Sequence, residues 1–292
     1  MISVFLHIMK KLTLIFFVIL PFVACKEKPT IIVPTQNTFE VMPSKFFQNI
    51  LVEEFGGEWC APCVDGAKSI ENFKIKYPNR IKAVSIHNND WLEIPYQNYL
   101  ATWLGGLVSF PRASINRNLG ENTVDGLDDT YTLLSLKNWD NAINKQINQE
   151  APISIALETV TSSTNIGQLN VYIARKNDMV SDTRIGVYFV EDNIQSVFQQ
   201  GANANFIHQN VLKSVFNYEG DTVKLYQGND LNTNESPEII KKQFTDIDLT
   251  KHNVMNLKII VFVFNYNNDF RKMKILNVQE VKWGGNKYWD VN

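Results

Sequence analysis

Asn49-Ile50-Leu51-Val52-Glu53-Glu54-Phe55-Gly56-Gly57-Glu58-Trp59-Cys60-Ala61-Pro62-Cys63 is the stretch on which the reading of the fold turns. The run from Asn49 to Phe55 is apolar and β-branched enough for a short buried strand, and Gly56 and Gly57 break it. A helical stretch follows from about Val64 to Tyr77, closed by Pro78, with Ala67, Ile70, Phe73 and Ile75 as its apolar positions. Strand, turn, Cys-x-x-Cys, helix is a context that gives a dithiol its chemistry. Cys60 is expected at a helix amino terminus, where unpaired N–H groups and the macrodipole favour the thiolate, the attacking species. Cys63, one turn on, is placed to resolve a mixed disulfide. Pro62 stiffens the turn at the helix start, where no hydrogen bond is lost. Two other uses of the pair stay open at this point. One is a structural disulfide, whose short loop constrains the unfolded chain little. The other is a zinc site, which needs two more ligands from a chain with four scattered histidines and no second cysteine pair.

Working outward, Arg80 to His87 is a second strand candidate. Trp91 to Leu104 carries Tyr96, Tyr99, Leu100, Trp103 and Leu104 at helical spacing and ends at Gly105-Gly106. Val108 to Asn116 then reads as an extended run leading into a strand with Pro111 at its head, and a helix from Leu136 to Gln149 has Trp139, Ile143 and Ile147 on one face. The β-α-β-α-β order requires right-handed crossovers and a mostly parallel start to the sheet. His87 and Asp90 follow the second strand, on the side where open α/β sheets place ligands; a histidine there either shuttles protons or is merely solvated.

With these residues in view, the segment Val52 to Cys63 resembles the active-site segment of thioredoxins. That resemblance implies Cys60 as nucleophile, Cys63 as resolving thiol and Trp59 as the indole beside the disulfide. It places Glu54 where the family keeps a buried acid that exchanges protons with the resolving cysteine. Glutamate at that position is nearer the membrane-tethered thioredoxin-like reductants of bacterial envelopes; the other reading is an exposed strand carboxylate, since Glu53 beside it must point the opposite way. Pro111 matches the proline that faces the dithiol and is cis in that family, against an ordinary trans proline at a strand edge. Phe110 before it then lines substrate binding through its backbone, and is bulkier than usual there.

The amino terminus reads as an export signal. Lys10 and Lys11 precede the apolar stretch Leu12 to Ala24, which ends at Cys25 and is too short for a comfortable membrane span. Cleavage before a cysteine resembles the bacterial lipoprotein signal, with Cys25 as the acylated residue; Phe22 stands where leucine is commonest. A plain signal peptide or a short anchor is the other reading. Met1 to Ile8 adds apolar residues ahead of the lysines, and Met9 makes the more ordinary start. Residues 26–43, polar and with Pro29, Pro34 and Pro43, read as a flexible tether.

From Ala151 the pattern changes. Strand candidates follow at Ile153 to Thr159, Gly167 to Ala174, Arg184 to Glu191, Thr222 to Gln227, Lys242 to Asp246, Leu257 to Asn265 and Met273 to Val281, separated by turn-forming residues. The expected organisation is therefore a signal with its lipoprotein cysteine over 1–25, the tether over 26–43, an α/β thioredoxin-like domain over 44–150 and an all-β, Ig-like sandwich over 151–292. Val197 to Phe216 shows few strand signals, and His208 within it reads as structural rather than as a ligand. This half shows no nucleophile with a base, no carboxylate pair and no phosphate loop.

The layout as a whole resembles the outer-membrane-protein-28-related lipoproteins of Gram-negative bacteria, through its architecture and its Trp-Cys-x-x-Cys and Phe-Pro-Arg segments. That likeness implies location more than activity. A formal net charge of -2 on 292 residues, 20% of them charged, lacks the basic surplus that a nucleic-acid partner requires. The expected function is an envelope thiol–disulfide oxidoreductase acting on protein thiols or disulfides, held to a membrane by a lipid anchor and needing no cofactor or metal. The alternative is a non-enzymatic outer-membrane surface lipoprotein whose sandwich binds a partner.

Overall fold

Each residue of the first strand, β1 (Ile50–Gly56), is buried, which requires that both faces of its sheet be covered. The computed structural model describes residues 39–107, 109–119, 132–175, 182–216, 229–231 (backbone only), 238–267, 269 and 272–290. The signal segment with Cys25, most of the tether, and the strand expected at Thr222 to Gln227 lie outside the described residues.

After β1 come α1 (Cys63–Lys76), β2 (Ile81–His87), α2 (Tyr96–Trp103), β3 (Arg112–Ile115), β4 (Leu133–Ser135) and α3 (Trp139–Ile147). The elements after α3 are strands: β5 (Ile153–Ser163), β6 (Ile166–Arg175), β7 (Thr183–Glu191), β8 (Ile194–Gln195), β9 (Ile207–His208), β10 (Val211–Val215), β11 (Asn229–Leu231), β12 (Glu238–Asp248), β13 (Leu257–Asn265), β14 (Ile275–Lys282) and β15 (Asn286–Lys287). β1 pairs in parallel with β2 and antiparallel with β3, which pairs antiparallel with β4.

Strands of the second half face one another in two layers, and one of those layers is continuous with the sheet of the first half. The large sheet runs β14-β13-β7-β10-β2-β1-β3-β4, so strands from both sides of residue 150 share it, with β11 beside β7. The join is a single parallel bridge, Val211 to Ser85, backed by the Ser85 amide donating to the Asn210 carbonyl at 2.6 Å. A separate antiparallel sheet, β12-β6-β5-β15, packs on part of the large one. The fold is thus mixed α/β, with one large mixed sheet and one antiparallel sheet.

Alternation explains how the layers meet. On β7 and β13, Ile185, Val187, Phe189, Ile259, Val261 and Val263 face the small sheet, against Ile155, Leu157, Val171 and Ile173. Their neighbours Tyr188, Val190, Ile260 and Phe262 face the other way and share a core with Leu51 and Phe55 of β1 and with Tyr96 and Leu100 of α2. The opposite face of β1, through Ile50 and Val52, packs with Ile70 and Phe73 of α1 and Trp139 and Ile143 of α3. Glu53 and Glu54 therefore point to opposite faces, and both are buried. Glu53 meets Arg117 Nη2 at 2.7 Å and the Tyr188 hydroxyl at 2.8 Å, and the guanidinium lies over the rings of Trp103, Phe262 and Phe264. Opposite charge holds Arg117 protonated despite burial.

Candidate functional site

Gly56, the last residue of β1, and Gly57 after it are required by close approach rather than by a turn. A Cβ on Gly56 would stand 2.8 Å from Glu54 Oε1 and 3.2 Å from Cys63 Sγ, and one on Gly57 would stand 2.6 Å from Trp59 Nε1. The indole folds back there, donating from Nε1 to the Asn88 carbonyl at 2.7 Å and meeting the Phe110 ring edge-on at 5.0 Å between centroids.

Cys60 and Cys63 form a disulfide, with their Cα atoms 5.4 Å apart. Cys63 is the first residue of α1, and Cys60 lies in the turn before it, closed by the Cys63 amide donating to the Cys60 carbonyl at 3.2 Å. The positive end of α1 thus points at the pair. Both cysteines are buried, at 3% and 7% exposure. Gly66 lets α1 come close to Pro111: a Cβ there would lie 3.3 Å from both the Pro111 ring and Trp139. The Phe110–Pro111 peptide is cis.

Of the residues singled out in the sequence, Cys60, Cys63, Glu54, Trp59, Phe110 and Pro111 converge here, while Cys25 lies outside the described residues. The Glu54 carboxylate and Cys63 Sγ flank the same point at Gly56. Burial pushes the Glu54 carboxyl up to about 6, against a hydrogen bond from the Ser85 hydroxyl (2.8 Å) and the nearby His87, which pull it down. A cavity of about 250 Å³ between α1 and residues 206–210 reaches Glu54 and Ser85. A larger one of about 570 Å³, beside α3, includes none of the dithiol residues.

Sequence reasoning missed Glu58. Its Oε1 accepts from the Ser196 hydroxyl (2.5 Å) and the Val197 amide (3.0 Å) and faces His208 Nε2 at 3.1 Å, while its Oε2 accepts from Trp91 Nε1 at 2.9 Å. Burial alone would raise this carboxyl, but the hydrogen bonds outweigh it and the group stays below its ordinary range. His208 is held below the ordinary histidine range by burial and by His87, against the pull of Glu58. Glu58 and His208 thus form a buried carboxylate–imidazole contact in which both groups are held below their ordinary ranges. His87 is buried, not solvated; its Nδ1 faces Asp90 Oδ2 at 2.7 Å, and its ring meets that of His208 edge-on at 4.8 Å. Among the described residues no group of three or more His, Cys, Asp or Glu side chains is placed to hold a metal.

A family model described as "Outer membrane protein Omp28" matches residues 97–287. The matched stretch includes Phe110, Pro111 and His208 but begins after the dithiol. No curated protein matches the chain. Among solved structures, HBP35 of Porphyromonas gingivalis aligns with a TM-score of 0.62 at 20% identity, covering 82% of this chain and 77% of that one. A protein of Agrobacterium tumefaciens aligns with a TM-score of 0.50 at 12% identity, covering 83% of this chain and 97% of that one. At such identities the likeness is one of fold alone. The family match spans well over half of the sequence, in strands of both sheets, and the chain belongs to the Omp28 outer-membrane-protein family.

Proposed function

We propose that this chain is a cell-envelope thiol–disulfide oxidoreductase built on a thioredoxin-like core and held at the outer membrane through an acylated Cys25. The observation that carries the reading is the Cys60–Cys63 disulfide at the positive end of α1 with the buried Glu54, its carboxyl pushed up to about 6, behind Cys63. The β-α-β-α-β-β-α order, with β1 between β2 and β3, supports the thioredoxin-like reading. The family's name supports outer-membrane association.

In the reduced form, the Cys60 thiolate attacks one sulfur of a substrate disulfide, forming a mixed disulfide and expelling a substrate thiolate. Cys63 gives its proton to the Glu54 carboxylate. Its thiolate then attacks the Cys60 sulfur, which re-forms Cys60–Cys63 and releases the second substrate thiolate. Two electrons pass from the dithiol to the substrate, and the reverse sequence oxidises a substrate dithiol. Trp59 and Phe110 form the apolar wall beside the pair.

Burial of both cysteines favours a second reading, a surface lipoprotein in which the disulfide is structural and the fold is a scaffold. A Cys63→Ala variant separates the two. The oxidoreductase accumulates mixed disulfides through Cys60 with envelope proteins, and these vanish when Cys60 is also changed to Ser. The scaffold accumulates none.

A further inference from the structure

The dithiol is covered by a part of the chain far from it in sequence. β8 and β9 pair as a short hairpin, Ile194 with His208 and Gln195 with Ile207. Its loop lies over the turn that holds the cysteines. The Gln199 side-chain amide donates to the Cys60 carbonyl at 3.0 Å, and the Gln200 amide donates to the Glu58 carbonyl at 2.7 Å. Gly201, at φ +83°, sits so close that a Cβ on it would stand 2.9 Å from the Ala61 carbonyl oxygen. The loop is fixed at its base by one carboxylate, since Glu58 accepts from Ser196 and Val197 and faces His208 Nε2, all of the hairpin.

A carboxylate that takes two donors from one hairpin and faces a third polar group of it is a stronger tie than the neutral bonds around it. It ties the hairpin to the residue one place before Trp59-Cys60. Cys60 is 3% exposed although it heads the turn before a helix, whereas Val197 and Phe198 of the same loop are 78% and 69% exposed. The loop thus presents its apolar side chains outward and its polar groups to the dithiol turn.

We infer that Glu58 is a positioning residue that fixes the β8–β9 loop over Cys60 and so governs how readily a thiol or disulfide reaches the nucleophile. The inference rests on the redox reading and adds a restriction to it: exchange at Cys60 requires the loop to yield.

The test is the rate at which dithiothreitol reduces the Cys60–Cys63 disulfide in the full chain, followed by thiol labelling, with thermal melting as a check on folding. Glu58→Ala is expected to speed reduction about tenfold or more, and Gln199→Ala about two- to tenfold, as fits the loss of charged and neutral hydrogen bonds respectively. Glu58→Gln, whose amide oxygen still accepts from Ser196 and Val197, is expected to fall between wild type and Glu58→Ala. Should Glu58→Ala fail to fold, Glu58→Gln decides, because it keeps an acceptor for Ser196 and Val197 and removes only the charge. Folded variants that reduce at the wild-type rate overturn the inference. Failure of the redox reading looks different: no protein catalyses exchange, while the reduction rates of the variants still differ.

Discussion

Glu54→Gln tests the buried acid directly. In the folded protein the carboxyl titrates at about 6 rather than 4.5 because burial disfavours its charged form more than Ser85 and His87 favour it. The folded state therefore binds the proton more tightly than the unfolded chain does. Its contribution to stability is fully present below about pH 4.5 and is lost as pH rises through about 6. Above that range, keeping the carboxylate ionised costs about 2 kcal/mol. Glutamine removes the charge and keeps an oxygen for the Ser85 hydroxyl. The oxidised variant should therefore exceed wild type by about 2 kcal/mol at pH 8, with the difference shrinking toward pH 4.5, as read from urea unfolding at several pH values. Comparing variant with wild type cancels Glu58, Asp90, Glu191 and Asp248, whose depressed carboxyls make stability change in the opposite sense. The same variant should lose exchange activity on the order of a hundredfold, for want of a proton acceptor beside Cys63. A stability difference that is flat from pH 4.5 to 8 would refute the account of Glu54.

Ser85→Ala removes the hydrogen bond that pulls the Glu54 carboxyl down, so the acidic limb of the activity–pH profile should move to higher pH. An unmoved profile counts against Glu54 as the group that titrates. Arg117→Met leaves the buried Glu53 without its opposite charge and should cost about 3–5 kcal/mol in chemical denaturation, whereas adding Glu53→Gln should recover much of that loss.

The first half of the fold was legible because its signals are local. The run Ile50 to Phe55, the two glycines and the Cys-x-x-Cys motif place β1 and α1 within a residue or two of their observed bounds. The long strands β5, β6, β7 and β13 also announce themselves by length and β-branched content. What escaped was short or non-local. β10 is five residues with Lys213 and Ser214 inside it, and its place beside β2 comes from one bridge to Ser85. Without β10, the strands beyond residue 150 read as a module of their own rather than as the extension of an existing sheet.

The site divides in the same way. The cysteines, Trp59, Glu54 and Pro111 lie in short segments whose spacing carries information. Glu58 stands next to Trp59, yet Ser196 and His208 are 138 and 150 residues further on, and no local pattern connects them. The Glu53–Arg117–Tyr188 cluster is equally hidden, its members separated by 64 and 71 residues. Glu53 looks like an ordinary strand carboxylate until the chain is folded.

The reduction potential of the Cys60–Cys63 pair tests the central claim most directly. Equilibration of the purified chain against glutathione or dithiothreitol buffers should give a value between roughly -120 and -270 mV, the span of catalytic dithiols. A potential below about -300 mV would mark the bond as structural and contradict the account.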